Sequence, residues 1–341
     1  MRTVLAVDGG NSKTDVALVA DDGRLLGAVR GLTTSHQAVG LERGMERLAA
    51  LVAEVHGQAG LLEDSGSRPE VAVYGLAGAD SPRDVRLLQN ALATRGFAND
   101  DILLNDTFAA LRAGTDRGWG VVLICGQGVN AGGLAPDGRQ ARLAALGDIS
   151  GDWGGGNDVG YAGLAAAVRA RDGRGPRTRL ERDVPAYFGL SRPATLTTAL
   201  YQGRIDARRV PELSAIVFAA AGAGDPVARA IVDRLADELT AMAGAMLRRL
   251  HLTRLDPEIV LGGGVFRTDE TGFYERLDTS IRRIAPRARL VRLGAPPVAG
   301  AALSALDRLG VTGVGLAVRS AFAAWDEAAM VRPAARRPPR P

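Results

Sequence analysis

DGGNSKTDV, residues 8–16, follows the apolar run TVLAV (3–7) and runs into a second one, VALVA (16–20). A plain turn between paired strands needs only glycine plus one Asn or Asp, because only a positive φ has to be supplied. This stretch holds two glycines, an amide, hydroxyls, a cation and two carboxylates. It reads as a strand–turn–strand unit whose turn carries chemistry. Gly9 and Gly10 let backbone N–H groups approach an anion, and Asn11, Ser12, Lys13 and Thr14 add side-chain donors. Asp8, at the strand end, suits a hydrated Mg²⁺, which is held by one or two carboxylates together with phosphate oxygens.

Working outward, Asp22-Gly23 is a hairpin signal leading to a third strand, LLGAV, so the sheet begins antiparallel. Residues 39–56 set Met45, Leu48, Val52 and Val55 at three- and four-residue spacing, the stripe of an amphipathic helix. Strand VAVYGL, a helix over 82–94 and strand DILLN follow, alternating as α/β units do. At 120–140, GVVLICGQGVNAGGLAPDGRQ repeats the opening: apolar strand, Gly-rich polar turn, strand, Asp-Gly hairpin. Its turn supplies a second anion loop, Gly126, Gln127 and Gly128, with Asn130 just beyond it. The second half is rich in helix, with an amphipathic segment over 227–252, and reaches EIVLGGGVF, a buried strand opening onto Gly262, Gly263 and Gly264. A helix, the strand RLVRL and a helical pattern after Pro297 complete it. The expected division is 1–112 for one lobe, 113–328 for the other and 329–341 for a disordered tail.

Composition narrows the function. With 341 residues, 46% hydrophobic and 23% charged, the chain is an ordinary globular protein of one large or two medium domains. No apolar run approaches the roughly 18–20 residues of a membrane span. The chain opens directly on a strand, which leaves no room for a signal peptide, so a cytoplasmic protein without a membrane partner is expected. The net charge of +4 is matched by four arginines in the last ten residues, RPAARRPPRP, leaving a near-neutral body and no nucleic-acid signal. Cys125 is the only cysteine, which excludes an internal disulfide and a Cys-rich metal or iron–sulfur site from one chain. Lys13 is the only lysine in a chain whose other basic residues are arginines.

Neither a Walker A lysine motif nor a G-x-G-x-x-G strand–helix junction is present, which argues against P-loop and Rossmann folds. Asp106 follows the strand ILLN and precedes a short helix; it reads either as the N-cap or as a general base. Asp148 and Asp152 flank a turn before a helix at 156–171. Asn130 lies within reach of whatever the second loop binds, and a carboxylate or an amide can bond two groups at once.

DGGNSKTDVALV, LNDTFAA, VVLICGQGVNAGG, SGDWGGGNDVG and EIVLGGGV, in this order and spacing, resemble the acetate and sugar kinase/Hsc70/actin superfamily. More narrowly they resemble the BadF/BadG/BcrA/BcrD group that includes N-acetylglucosamine kinases, over the chain to about residue 310. The resemblance implies an α/β fold of two RNase H-like (actin-like ATPase) lobes, mixed sheets flanked by helices, with ATP and a sugar meeting in the cleft between them. It implies that residues 8–14 and 126–130 are phosphate loops, that 262–264 contact adenosine, and that Asp106 takes the proton of the attacking sugar hydroxyl. By the same resemblance Ser35, His36, Gly78, Asn130, Asp148 and Asp152 belong to the sugar site, and the enzyme is a homodimer using ATP and Mg²⁺. Two departures stand out: Ser35 replaces the Asn of the family's Ser-Thr-Asn-His loop, and Trp153 stands where an acid is common. The expected activity is transfer of the γ-phosphate to a hydroxyl, O6, of N-acetylglucosamine or of a related sugar (glucosamine, N-acetylmannosamine, N-acetylmuramate, glucose). The group's ATPase activators need at least two cysteines per chain, and a sugar-responsive repressor would carry a helix-turn-helix segment; this sequence has neither.

Overall fold

The computed structural model describes residues 1–60 and 68–331. Strands β1 (Thr3–Gly9), β2 (Lys13–Ala20) and β3 (Leu25–Leu32) form the antiparallel start read from the sequence. The helix expected over 39–56 is instead α1 (His36–Val39) followed by α2 (Leu41–Gln58), because Gly40 between them has φ +85°, which no right-handed helix accommodates. Strand β4 (Val71–Leu76), helix α3 (Pro82–Ala93), strand β5 (Asp100–Asn105) and helix α4 (Asp106–Gly114) complete the first run. Ser81 and Asp84 close a reciprocal capping box at the start of α3.

The repeat at 120 is real in three dimensions. Strands β6 (Gly120–Cys125), β7 (Val129–Leu134) and β8 (Gln140–Arg142) pair antiparallel in sequence order, as β1, β2 and β3 do. After α5 (Gly155–Asp172), α6 (Leu180–Tyr187), α7 (Pro193–Tyr201), α8 (Leu213–Gly222) and α9 (Pro226–Arg249), strand β9 (Glu258–Gly262) joins parallel to β6. Helix α10 (Thr271–Ile284) and strand β10 (Arg289–Arg292) follow. The two five-stranded sheets run β3-β2-β1-β4-β5 and β8-β7-β6-β9-β10, the same topology twice.

The chain then returns to the first sheet. One compact unit is Met1–Gly118 together with the described chain from Leu293 on, and the other is Trp119–Arg292. The expected single division, with everything to 328 in the second lobe, is corrected here: α11 (Pro297–Arg308) and α12 (Gly315–Val331) belong to the first unit. Packing explains it. Val4, Ala6, Ala17 and Val19 point to one face of the first sheet and are covered by Val298, Leu303 and Leu306 of α11 and Phe322 of α12, all at most 1% exposed. The alternate residues Leu5, Val7, Val16 and Leu18 meet α2 and α3 on the other face. Both faces being covered, β1 and β4 read as continuous apolar runs. Burying each large aliphatic side chain contributes about 1.5–3 kcal/mol. The expected tail starts later than 329, since α12 runs to Val331; residues 332–341 lie outside the described residues.

The second unit has one core, in which Val121 and Leu123 pack with residues such as Val217, Leu235 and Leu239 of the long helices. Among the described residues no single helix is long and apolar enough to cross a membrane; one bent pair, Ala207–Gly222 with Pro226–Arg249, meets the length and composition, and its apolar residues supply this core.

Candidate functional site

In the first unit β1, β3, β4 and β5 all run the same way, so their C-terminal ends share one edge of the sheet, where open α/β sheets hold ligands. Register fixes the row: Asp8 lies opposite Asp15 and Gly75, and Leu76 opposite Asn105. The edge thereby collects Asp8–Lys13, Thr33–His36, Gly78 and Asp106.

These segments are stitched together. The Gly10 N–H donates to the Lys13 carbonyl at 3.0 Å, closing the turn, and the Thr33 hydroxyl donates to the Gly10 carbonyl at 2.8 Å. Thr14 was expected to face an anion; the structure instead buries it wholly, its hydroxyl 2.9 Å from that of Thr34, because a strand residue pairing inward has no path to the turn's outer surface. Asn11 and Ser12 are exposed at the tip. Lys13 Nζ donates to Asp15 Oδ2 at 2.8 Å.

Asp8 is half-buried, and its carboxyl is pushed up to about 8 by desolvation first, then by the charges of Asp15 and Asp106, against the pull of Lys13 and Arg30. Asp15 and Asp106 both act on Asp8, so the carboxylates here outnumber the cations Lys13 and Arg30, an excess of negative charge that fits a divalent cation. No cluster of three or more His, Cys, Asp or Glu groups that could hold a metal occurs among the described residues, so a cation here would take its remaining oxygens from water and phosphate.

The N-cap reading of Asp106 is overturned. Asn105 ends β5 with extended dihedrals and caps α4, accepting from the Thr107 N–H at 3.2 Å, while Asp106 is already the first helical residue. Asn105 also donates to Asp80 Oδ1 at 3.1 Å, tying the β4 loop to the helix. That loop presses on the Thr33–His36 segment: Gly78 has φ +85°, and a Cβ on it would lie 2.8 Å from His36 Cε1, so a side chain there is strained and pushes the imidazole aside. Ser35 Oγ and His36 Nδ1 are buried with no hydrogen-bond partner, while His36 Nε2 stands 3.7 Å from Asp84. Buried polar atoms without partners point to a ligand or ordered water that supplies them.

The second unit builds its edge from backbone. Gly156 N–H and Asn157 N–H, at the start of α5, donate to the Gly126 and Gln127 carbonyls at 2.8 and 2.9 Å. This approach requires Gly155: φ is +76° and a Cβ would lie 2.4 Å from the Gln127 oxygen. Gly263 presses equally on the Cys125 carbonyl. Gly126, Gly128 and Gly264 face open space, with nothing within 4 Å of a Cβ. Beyond Gly264 lies a cavity of about 450 Å³ lined by Ser214, Phe218, Val265, Thr268 and Glu270 among others. Glu270 is fixed by a paired bond from Arg229 at 2.7 and 2.9 Å. Cys125 is wholly buried, and burial pushes its thiol up to about 12.

Asn130 is half-buried on β7, its side-chain oxygen accepting from the Ala131 N–H at 2.8 Å. Asp152 accepts from the Ser150 hydroxyl, whereas Asp148 sits exposed in the preceding turn. Trp153 is stacked under Arg234, 3.9 Å from the ring centroid. Two participants escaped the sequence reading. Asp15 shares a strand face with Lys13 by the two-residue period and was legible in principle. Asn105 as cap was not, because Asn and Asp at adjacent positions cap about equally well.

The family described as BadF/BadG/BcrA/BcrD ATPase family matches residues 5–305. The chain is 26% identical to the N-acetylmuramic acid/N-acetylglucosamine kinase of Clostridium acetobutylicum, covering 89% of this chain and 98% of that protein. It is 26% identical to the N-acetyl-D-glucosamine kinase of Dictyostelium discoideum, over 89% of this chain and 97% of that one. Among solved structures, a candidate N-acetylglucosamine kinase from Chromobacterium violaceum superposes with a TM-score of 0.66 at 23% identity, covering 89% of this chain and 98% of that one. That likeness shows the fold, the two RNase H-like units expected from the motifs.

Proposed function

We propose that this chain, which belongs to the BadF/BadG/BcrA/BcrD ATPase family, is an ATP- and Mg²⁺-dependent sugar kinase acting on O6 of N-acetylglucosamine. The observation that carries the reading is the edge of the first sheet, where Asp106 is relieved of capping by Asn105 and stands in one row of strand ends with the unpartnered Ser35 and His36 atoms. Both curated relatives are amino-sugar kinases that align over nearly their whole length.

Asp106 accepts the proton of the sugar hydroxyl, a role worth about 10²- to 10⁴-fold in rate. Ser35 and His36 hold sugar hydroxyls, with Gly78 keeping the loop close enough for them to do so; Asn130 and Asp152 are the second unit's sugar contacts, and Asp148, exposed in its turn, the weaker candidate. Lys13 and the turn Gly9–Ser12 bind phosphate through charge and N–H donors; Gly126–Gly128 do so through backbone alone. Gly262–Gly264 and the cavity beyond them receive the adenosine. Asp8 is the protein ligand for Mg²⁺, which when bound neutralises charge on the transferring phosphoryl group. We include a homodimer and a cytoplasmic location in this proposal, the former to be read by light scattering.

The deciding measurement is ADP release with ATP, Mg²⁺ and a panel of sugars. The expected result is release that depends on N-acetylglucosamine, with weaker use of glucosamine, N-acetylmannosamine, N-acetylmuramate and glucose. Release of the same size without any sugar would overturn the kinase reading; release with another sugar alone would replace the substrate.

A further inference from the structure

Lys13 does not stand alone beside its proposed phosphate. Its ammonium donates to Asp15 Oδ2, and Asp15 has a wholly buried side chain, so this carboxylate needs cationic partners that water cannot replace. Arg30, its cross-strand neighbour, supplies the main one through a fork: Nε to Oδ1 at 2.7 Å and Nη2 to Oδ2 at 2.8 Å. Arg30 is in turn held from the C-terminal helix. Its Nη2 also donates to Asp326 Oδ1 at 2.5 Å, and its guanidinium lies 5.0 Å from the centre of the Trp325 ring. Helix α12 is anchored under these two residues by Val318 and Phe322, both fully buried. It lies beyond residue 305, where the family match ends.

We propose that Asp326 and Trp325 are positioning residues for Lys13: they fix Arg30 on Asp15, so that Arg30 neutralises the buried carboxylate and Lys13 can present its ammonium to the nucleotide. The inference rests on the reading of Lys13 as a phosphate ligand. Its physics is a competition. Two cations share Asp15 Oδ2, and an ammonium has three donors, only one of which this contact uses. With Arg30 fixed, Asp15 is satisfied without Lys13. With Arg30 loosened, Lys13 becomes the principal partner of a buried anion and is held back.

The test measures KM for ATP, KM for the sugar, kcat and melting temperature in Lys13→Ala, Asp326→Asn, Asp326→Glu and the double variant Lys13→Ala/Asp326→Asn. Asp326→Asn is expected to raise KM for ATP about three- to tenfold, the range of coupling between residues of one charge network, and to leave KM for the sugar within about twofold. Asp326→Glu restores most of the loss. In the Lys13→Ala background Asp326→Asn adds almost nothing, since the residue it acts through is gone. Arg30→Lys, which keeps the charge but loses the fork, behaves like Asp326→Asn or worse; should it fail to fold, the variants at the part-buried Asp326 still decide. A wild-type KM for ATP in Asp326→Asn, with Lys13→Ala impaired, overturns the inference and leaves the phosphate reading standing. Full additivity in the double variant overturns it as well. An unchanged KM for ATP in Lys13→Ala overturns both, the phosphate reading first.

Discussion

The turns after β1 and after β6 occupy equivalent places in one repeated topology, yet they are made of opposite materials. The first is dense with side chains: Asp8, Lys13 and the buried Asp15 within a few residues, with Arg30 and Asp326 behind them. The second has almost no side chain to offer; Gly126 and Gly128 stand in open space, and the start of α5 closes on them through Gly155. An anion can be bound by charge or by converging backbone donors, and under the proposed function the two units divide these means. Variants that alter charge should therefore speak mainly through kinetics and pH in the first unit, and variants that alter space through packing in the second.

The largest effect belongs to Asp106. Since Asn105 caps α4, Asp106→Asn removes proton acceptance without touching the cap. Turnover should fall by roughly 10²- to 10⁴-fold, with sugar affinity and melting temperature nearly unchanged, the pattern of an interaction made mainly in the transition state. A kcat near that of wild type moves the base to Asp152 or Asp148. Next is Gly155→Ala in the second unit. A Cβ there meets backbone at 2.4 Å on a residue with φ +76°, and a left-handed non-glycine residue alone costs about 1–3 kcal/mol. Melting should drop by several degrees before any kinetic argument arises; an unchanged melting temperature would show that the α5 start is not braced as described.

The third effect is a pH dependence at Asp8. Its folded-state carboxyl, raised to about 8, holds a proton that the unfolded chain has released above about 4, so this group makes the protein less stable as pH rises across that window. A divalent cation favours the ionised form, so Mg²⁺ must displace that proton, and its apparent affinity should climb by up to about tenfold per pH unit until pH 8. Melting curves from pH 5 to 9, with and without Mg²⁺, for wild type and Asp8→Asn read both signs. Identical pH slopes in the two proteins would remove Asp8 from the account.

What the sequence made legible follows from the range of the forces involved. Strand–turn–strand units and the stripe of α2 are local patterns, and they came through because hydrophobic period and turn chemistry are written within a few residues. The gathering of Ser35, His36, Gly78 and Asp106 at one edge was available only through resemblance, since the register of all five strands, β3 to β5, brings their segments there from across the chain. The home of α11 was not legible: its apolar stripe fits any sheet face, and only the complement of Ala6, Val19 and Val73 chooses the first. Asp106's release from capping was equally hidden, a one-residue matter that helix boundaries rarely reveal.

The smallest expected effect tests the contrast most directly. Gly126 has no atom within 4 Å of a Cβ and needs no positive φ, so Gly126→Ala should fold as wild type does. If the open space is where phosphate sits, the added methyl displaces the anion from the loop's N–H donors. The loss should be that of one hydrogen bond to a charged group, at the low end about 1.5 kcal/mol, read as a rise in KM for ATP of about tenfold at unchanged melting temperature. Gly57→Ala provides the control: that glycine lies in α2 of the first unit, also faces open space, and belongs to neither loop. Relieving a helix of glycine there should raise stability by up to about 1 kcal/mol and leave KM alone. A rise of that size in both variants would make the Gly126 effect nonspecific; no rise in either would mean the second unit's loop does not hold phosphate, and the division of labour between the two turns would fail at its backbone half.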